Sequence, residues 1–235
     1  MVSKIGVNFE EFEKLSVAEN AVAMMWFNLY SGFVFKTPRF EIVVDPAAVG
    51  EEITKLNPDI IIVSHEHFDH FDKSLVKKLH KGKAIIIAPG HIISELKGEI
   101  PEEHLRKVSA EDVVEHEGLK IIACEADHPS PEPLTFIIQS ENGVTIYHAI
   151  DSRTFDGMKE IGEKYSIDVA IAPIGIAPGT SPREAARAIK MLKPKIAIPH
   201  HAKGGFEEFK KIIEKEGIES QVKIIKQGEI YVYEK

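Results

Sequence analysis

Ser64-His65-Glu66-His67-Phe68-Asp69-His70-Phe71-Asp72 is the stretch on which the reading of this chain turns. It follows Asp59-Ile-Ile-Ile-Val-Ser64, a β-branched run that reads as a strand buried on both faces. It precedes Lys73–Lys81, which reads as a helix. Its side chains therefore belong at the carboxyl end of a strand, where open α/β sheets place their sites. Neutral imidazole and carboxylate are donors that hold Zn2+, Fe or Mn2+. In an extended or turning segment His65 and His67 point the same way and can share one cation. Asp69 and His70 fall beyond them, where a second cation fits. The competing reading of such a run is a solvated polar loop.

Outward from this stretch, strands and helices alternate. Upstream, residues 9–23 have helix-like spacing and predict a leading helix. Phe33–Phe35 and Phe40–Val44 predict a hairpin broken at Thr37-Pro38. Downstream, Ala84–Ala88 reads as a strand, His91–Leu96 as a short helix and Leu119–Glu125 as a strand. Leu134–Ser140 and Val144–Ile150 pair around Glu141-Asn142-Gly143, and Asn-Gly is a strong hairpin signal. Asp156–Tyr165 reads as a helix and Val169–Pro173 as a strand. Ser181 then caps a helix with Pro182 in its first position and Glu184 in its third. Ile196–Pro199 reads as a strand, Phe206–Glu216 as a helix and Gln221–Tyr233 as a closing hairpin. With no internal repeat or low-complexity linker, this order predicts sheet layers covered by helices in one continuous domain over 1–235.

Composition narrows the function classes. At 235 residues and 43% hydrophobic content, the chain can build a sizeable core without a metal or disulfide as a staple. Lys+Arg 29 against Asp+Glu 37 gives a net charge of −8, which argues against a general nucleic-acid or anionic-membrane binder. The start of the chain shows no basic-then-apolar leader, and the longest apolar run, Val169–Pro178, is broken by Pro and Gly. Cys124 is the one cysteine, which excludes an internal disulfide framework and fits a reducing cytoplasm. Charges dominated by Glu and Lys, with few Asn and Gln, match a thermophile composition.

The His-x-His-x-Asp-His run resembles the metallo-β-lactamase superfamily. Tyr147-His-Ala-Ile-Asp151 and Ile198-Pro-His-His201 narrow the resemblance to metal-dependent hydrolases near L-ascorbate-phosphate lactonase. Other waypoints are Val44-Asp45-Pro46, His128, Ala172-Pro-Ile-Gly175 and Pro194-Lys-Ile-Ala-Ile198. The resemblance implies an α/β (α+β) fold, a four-layer αββα sandwich, with two divalent metal ions, foremost Zn2+ with Mn2+ or Fe as alternatives. Carried over by position, His65, His67 and His128 bind the first metal. Asp69, His70 and His201 bind the second, and Asp151 bridges both.

The residues themselves add to this. Asp151 ends an alternating strand on which Thr145, Tyr147, Ala149 and Asp151 share a face. His128 follows the strand Leu119–Glu125 after a short turn. His200 and His201 lie on opposite faces if their strand continues, and the resemblance selects His201 through Ile-Pro-x-His. That leaves His200 as a hydrogen-bond partner of a ligand, a substrate contact or a buried residue. Asp45, just ahead of the site, holds a ligand or loop by hydrogen bonding, or simply ends its strand. His148 reads as packed, Cys124 as a small buried hydrophobe, and the histidines at 80, 91, 104 and 116 as surface residues. Asn28-Leu29-Tyr30 lacks the Gly-His common in this branch, and Ile150, Ser152 and Ile176–Thr180 also depart from it.

Residues and resemblance together predict a metal-dependent hydrolase that uses a dinuclear-metal-bound hydroxide, oriented by Asp69 as catalytic residue, on a small ester or lactone. The alternatives are a phosphodiesterase on a small phosphoester and a non-hydrolytic iron-binding redox protein. The expected partner is a small-molecule substrate rather than nucleic acid or membrane, in a cytoplasmic protein compatible with homo-oligomer formation.

Overall fold

The computed structural model describes residues 7–235. The sequence reading of the chain start as leaderless falls in part on residues 1–6, outside the described residues. The chain divides into two compact units. One runs as far as Val108 and regains Ile225–Lys235; the other is Ser109–Ile224.

The first unit opens with a single-turn helix, α1 (Phe9–Glu13), whose start is capped by Asn8 accepting from Glu11 N. Next come β1 (Ala21–Trp26), β2 (Phe33–Lys36), β3 (Glu41–Val44) and, after a 3-10 turn at Glu51–Lys55, β4 (Ile60–Ile62). They are followed by α2 (Lys73–His80), β5 (Ile85–Ala88), α3 (Gly90–Leu96) and β6 (Leu105–Lys107). The last strand of the chain, β14 (Ile230–Glu234), returns to this unit. The sheet order is β14-β1-β2-β3-β4-β5-β6, antiparallel as far as β3 and parallel from β3 onward. The three helices and the 3-10 turn at Glu51–Lys55 pack on one face, where Phe12, Ile53, Val76, Leu79, Ile92 and Leu96 meet Met25, Val34, Val43, Ile61 and Ile86. The other face is apolar and buried as well, with Met24, Phe33, Phe35, Ile42, Ile60 and Ile62 at 0% exposure. Asp72 caps α2 by accepting from Leu75 N at 3.0 Å, and Lys81 ends it in the left-handed region.

The second unit begins with β7 (Val113–His116), β8 (Leu119–Glu125), β9 (Leu134–Gln139) and β10 (Thr145–His148). It continues with α4 (Gly157–Lys164), β11 (Val169–Pro173), α5 (Pro182–Leu192), β12 (Ile196–His200), α6 (Phe206–Lys215) and β13 (Gln221–Val222). Its order, β13-β12-β11-β10-β9-β8-β7, repeats the plan of the first sheet: an antiparallel meander running into parallel strands joined by helices. Gly143 at φ +84° supplies the left-handed turn between β9 and β10. Ser181 caps α5 as expected, accepting from Glu184 N at 3.1 Å ahead of Pro182. Met158, Ile189, Leu192, Phe209 and Ile213 bring the three helices onto Tyr147, Ala170 and Ala197.

Three sequence expectations need correcting. The helix over 9–23 stops at Glu13, because Ala21–Trp26 is buried at every position as a strand paired on both sides, and tertiary burial overrides its helical composition. Gln221–Tyr233 is not a hairpin. β13 pairs with β12 and β14 with β1, so the two strands complete different sheets. β6 and β7 escaped notice because both are short and partly exposed and carry no apolar alternation.

Candidate metal centre

In the first unit the candidate donors rise from the carboxyl ends of two neighbouring parallel strands. β3 and β4 run side by side with Val44 opposite Ile62, so Asp45 just beyond β3 reaches the loop just beyond β4. Asp45 is fully buried and turns into the left-handed region at φ +49°. Its Oδ1 accepts from Ser64 N at 2.8 Å, and its Oδ2 accepts from Ser64 Oγ and from His70 Nδ1, each at 2.7 Å. Burial pushes the Asp45 carboxyl above its usual range, against the pull of the His70 and Ser64 hydrogen bonds.

These contacts settle two tautomers. The one Ser64 hydroxyl proton goes to Asp45, so Ser64 Oγ accepts from His65 Nδ1 at 2.9 Å. His65 therefore keeps a lone pair on Nε2. Likewise His70, donating through Nδ1 to Asp45, keeps its lone pair on Nε2. One buried acid thus orients two imidazoles, as partners of metal-ligating histidines do. His65 Nε2 stands 3.1 Å from His67 Nδ1, with the rings at 77°. Two nitrogens on a tetrahedral Zn2+ at 2.0–2.1 Å lie about 3.3 Å apart, so this pair fits a shared cation. Asp69 Oδ2 is 3.7 Å from His70 Nε2, and the Asp69 side chain keeps 12% exposure. Glu66 lies 3.8 Å from His67 Nε2 and 3.3 Å from His91 Nε2.

In the second unit the donors come from three strand ends. β8, β10 and β12 run in the same direction in their sheet, so His128, Asp151 and His201 all follow strands that end on one sheet edge. The loops bearing His128 and Asp151 are laced together. Asp127 N donates to Ser152 Oγ at 2.9 Å, Arg153 N donates to Asp127 O at 3.0 Å, and Arg153 Nη2 holds Asp127 Oδ1 at 2.5 Å. Gly179 belongs to this lacing, since a Cβ there would lie 2.4 Å from Arg153 Cδ. His201 Nδ1 meets Asp151 Oδ1 at 2.8 Å, and both residues are buried. His128 is buried at 7% exposure.

Within each unit, then, the predicted donors gather: His65, His67, Asp69 and His70 in one, Asp151 and His201 in the other, with His128 on the same sheet edge. Asp45 is the hydrogen-bonding partner that the sequence allowed it to be. Some local expectations change. β10 ends at His148 and Ile150 turns left-handed at φ +52°, so alternation does not carry Asp151 onto the face of Tyr147 and Ala149. His201 is left-handed at φ +53°, and its ring lies at only 15° to that of His200; the strand does not continue and the opposite-face argument lapses. His200 packs edge-on against His148 at 5.0 Å, and both are fully buried. His80 is not a surface residue. It is buried on α2 and bonded to His104 at 2.7 Å. Ser64 and Ser152 went unassigned by sequence reasoning, although a hydroxyl next to a candidate ligand was the available signal in both cases.

Comparison with known proteins gives the family. A family model described as a β-lactamase superfamily domain matches residues 24–201. A UPF0173 metal-dependent hydrolase of Methanopyrus kandleri is 29% identical over 225 residues, covering 86% of this chain and 96% of its own. A namesake from Rubrobacter xylanophilus is 30% identical over 225 residues, covering 85% and 92%. Among solved structures, a metallo hydrolase from the hyperthermophilic archaeon Ignicoccus hospitalis superposes with a TM-score of 0.79 at 25% identity, over 91% of this chain and 99% of that one.

Proposed function

The chain belongs to the β-lactamase superfamily and, within it, to the UPF0173 metal-dependent hydrolases, and from that we propose that it hydrolyses a small ester or lactone with two divalent cations, foremost Zn2+. In this reading His65, His67 and His128 hold one cation, Asp69, His70 and His201 the other, and Asp151 serves both. The observation that carries it is the chain of hydrogen bonds from Asp45 through Ser64 to His65 and directly to His70, which leaves both Nε2 atoms as acceptors. A merely solvated loop has no need of a buried acid to set two tautomers. The donor set is all imidazole and carboxylate, the chemistry that suits Zn2+, Mn2+ or Fe.

Such cations, when bound, bring the pKa of water towards neutrality and polarise an acyl or phosphoryl oxygen. The remaining work falls to the side chains. Asp69, more accessible than the buried Asp45, orients the attacking water and takes up its proton. Asp45 keeps the imidazoles of His65 and His70 from rotating as charge develops. The Asp127–Ser152–Arg153 lacing holds the His128 and Asp151 loops in register. Among the described residues no helix is long and apolar enough to cross a membrane. The lone Cys124 and the Glu- and Lys-rich composition support a cytoplasmic setting in a thermophile.

The test is elemental analysis of the metal-reconstituted protein, followed by a panel of lactones, carboxylic esters, phosphodiesters and phosphomonoesters. The expected result is two metals per chain and turnover confined to esters and lactones, with Asp151→Ala lowering both metal content and rate. Unchanged stoichiometry in Asp151→Ala refutes the ligand assignment. Turnover of phosphodiesters alone overturns the substrate class, and two irons with no hydrolysis overturns the hydrolase.

A further inference from the structure

The geometry points to Phe68 and Tyr30 as an aromatic platform that takes the aryl or acyl group of the substrate beside the histidine cluster, an inference that rests on the hydrolase reading above. Phe68 is 77% exposed, while His65, Asp69 and His70 in the same run are 1%, 9% and 0% exposed. Among the described residues the other exposed large apolar side chains are Val113 at 50% and Val232 at 41%, both well below it. This exposure is built into the backbone. His70 N and Phe71 N both donate to His67 O at 2.9 Å, closing a tight turn with Phe68 at its corner. Turns favour Gly, Pro, Asn, Asp and Ser, so a phenyl ring gains nothing for the turn itself.

The ring has an aromatic neighbour. Tyr30 meets it edge-to-face, with centroids 6.2 Å apart at 78°. The backbone of Tyr30 is positioned in turn: its N donates to Asn28 Oδ1 at 3.0 Å and its carbonyl accepts from Trp26 Nε1 at 2.7 Å. Asn28, only 3% exposed, also accepts from Gly32 N at 2.9 Å and donates to Ala47 O at 2.8 Å. Two rings from separate segments thus present an apolar surface, one of them flanked in the chain by the donors His67 and Asp69. Ligand sites combine these two elements: apolar and aromatic area for grip, and a few convergent polar groups for orientation. A phosphomonoester with no apolar group would use the donors and waste the rings. The matching substrate carries an aryl or medium-length acyl group next to its scissile bond.

The experiment uses the full-length chain. Zinc-loaded protein is assayed on p-nitrophenyl acetate, butyrate and hexanoate. In parallel, metal-free protein is titrated with N-benzylacetamide, an amide analogue of a benzyl ester, and ring contact is read by saturation-transfer NMR. Wild type should gain in kcat/KM by up to about fourfold per added methylene, chiefly through KM. Phe68→Ala and Tyr30→Ala should flatten that slope and abolish saturation transfer, Phe68→Trp should restore both, and Val113→Ala should change neither. Metal content checks that each variant is folded. A wild-type slope that survives Phe68→Ala overturns the platform and leaves the hydrolase standing, as does a dimer that Phe68→Ala dissociates. Absent hydrolysis together with Phe68-dependent saturation transfer overturns the hydrolase and leaves the platform as an aryl-binding site.

Discussion

The two units offer their candidate donors in opposite ways. The first presents His65, His67, Asp69 and His70 from a single loop after β4. The second collects His128, Asp151 and His201 from the ends of β8, β10 and β12. A contiguous loop is cheap to order once its strand is placed, and a single buried carboxylate at Asp45 suffices to orient two of its imidazoles. Donors drawn from separate strands have no such common support. Their loops are tied to one another instead, His128 to Asp151 through Asp127, Ser152 and Arg153, and Asp151 to His201 directly. Order in the first unit comes from sequence proximity, and in the second from sheet register.

That contrast can be broken most severely by removing one ligand from each side. His65→Ala and His201→Ala should each lower metal affinity and turnover by more than about a hundredfold, beyond what partners of ligands contribute. Full metal content in His201→Ala would mean that the second unit supplies no ligand there. Next in size is Asp45→Asn. It keeps the shape but has one acceptor atom in place of two, so it cannot accept from Ser64 N and also from Ser64 Oγ and His70, and it should cost about 10- to 100-fold in metal affinity. Ser64→Ala, which releases His65 alone, should cost less; equal losses would show that the two tautomers are not set through one acid. The smallest effect belongs to Ser152→Ala, which strips Asp127 N of its acceptor. Chemical denaturation should register about 1–2 kcal/mol with only a modest fall in bound metal, and a collapse in metal content would show that the lacing does more than hold register.

Legibility followed the same division. The His65–His70 run was readable because β-branched Ile60–Ile62 ahead of it and Asp72 with its helix behind it are local signals, and the structure places both as read. Ser181-Pro182 was readable for the same reason. His128, Asp151 and His201 became candidates through resemblance, since none sits in a local pattern that demands chemistry. The face argument for Asp151 failed because the chain turns left-handed at Ile150, a residue type with no intrinsic leaning to that conformation. The opposite-face argument for His200 and His201 lapses in the same way, at a left-handed turn at His201 that alternation cannot foresee, while His201 is the one of the pair that meets Asp151. Residues 21–23 misled in the other direction, taken into the helix over 9–23 by its helix-like spacing where two flanking strands impose sheet.

By itself, the order of residues determined the alternation of strands and helices, the loop that bears the first donors, and the absence of any disulfide framework, because each depends on neighbours within a few positions. Tertiary structure alone decided that β14 closes the first sheet, that Asp45 governs both His65 and His70, that Ser152 ties one loop to another, and that Phe68 stands in solvent against Tyr30. Those outcomes depend on strand pairing and hydrogen bonding between residues distant in sequence, and no local propensity encodes such pairings.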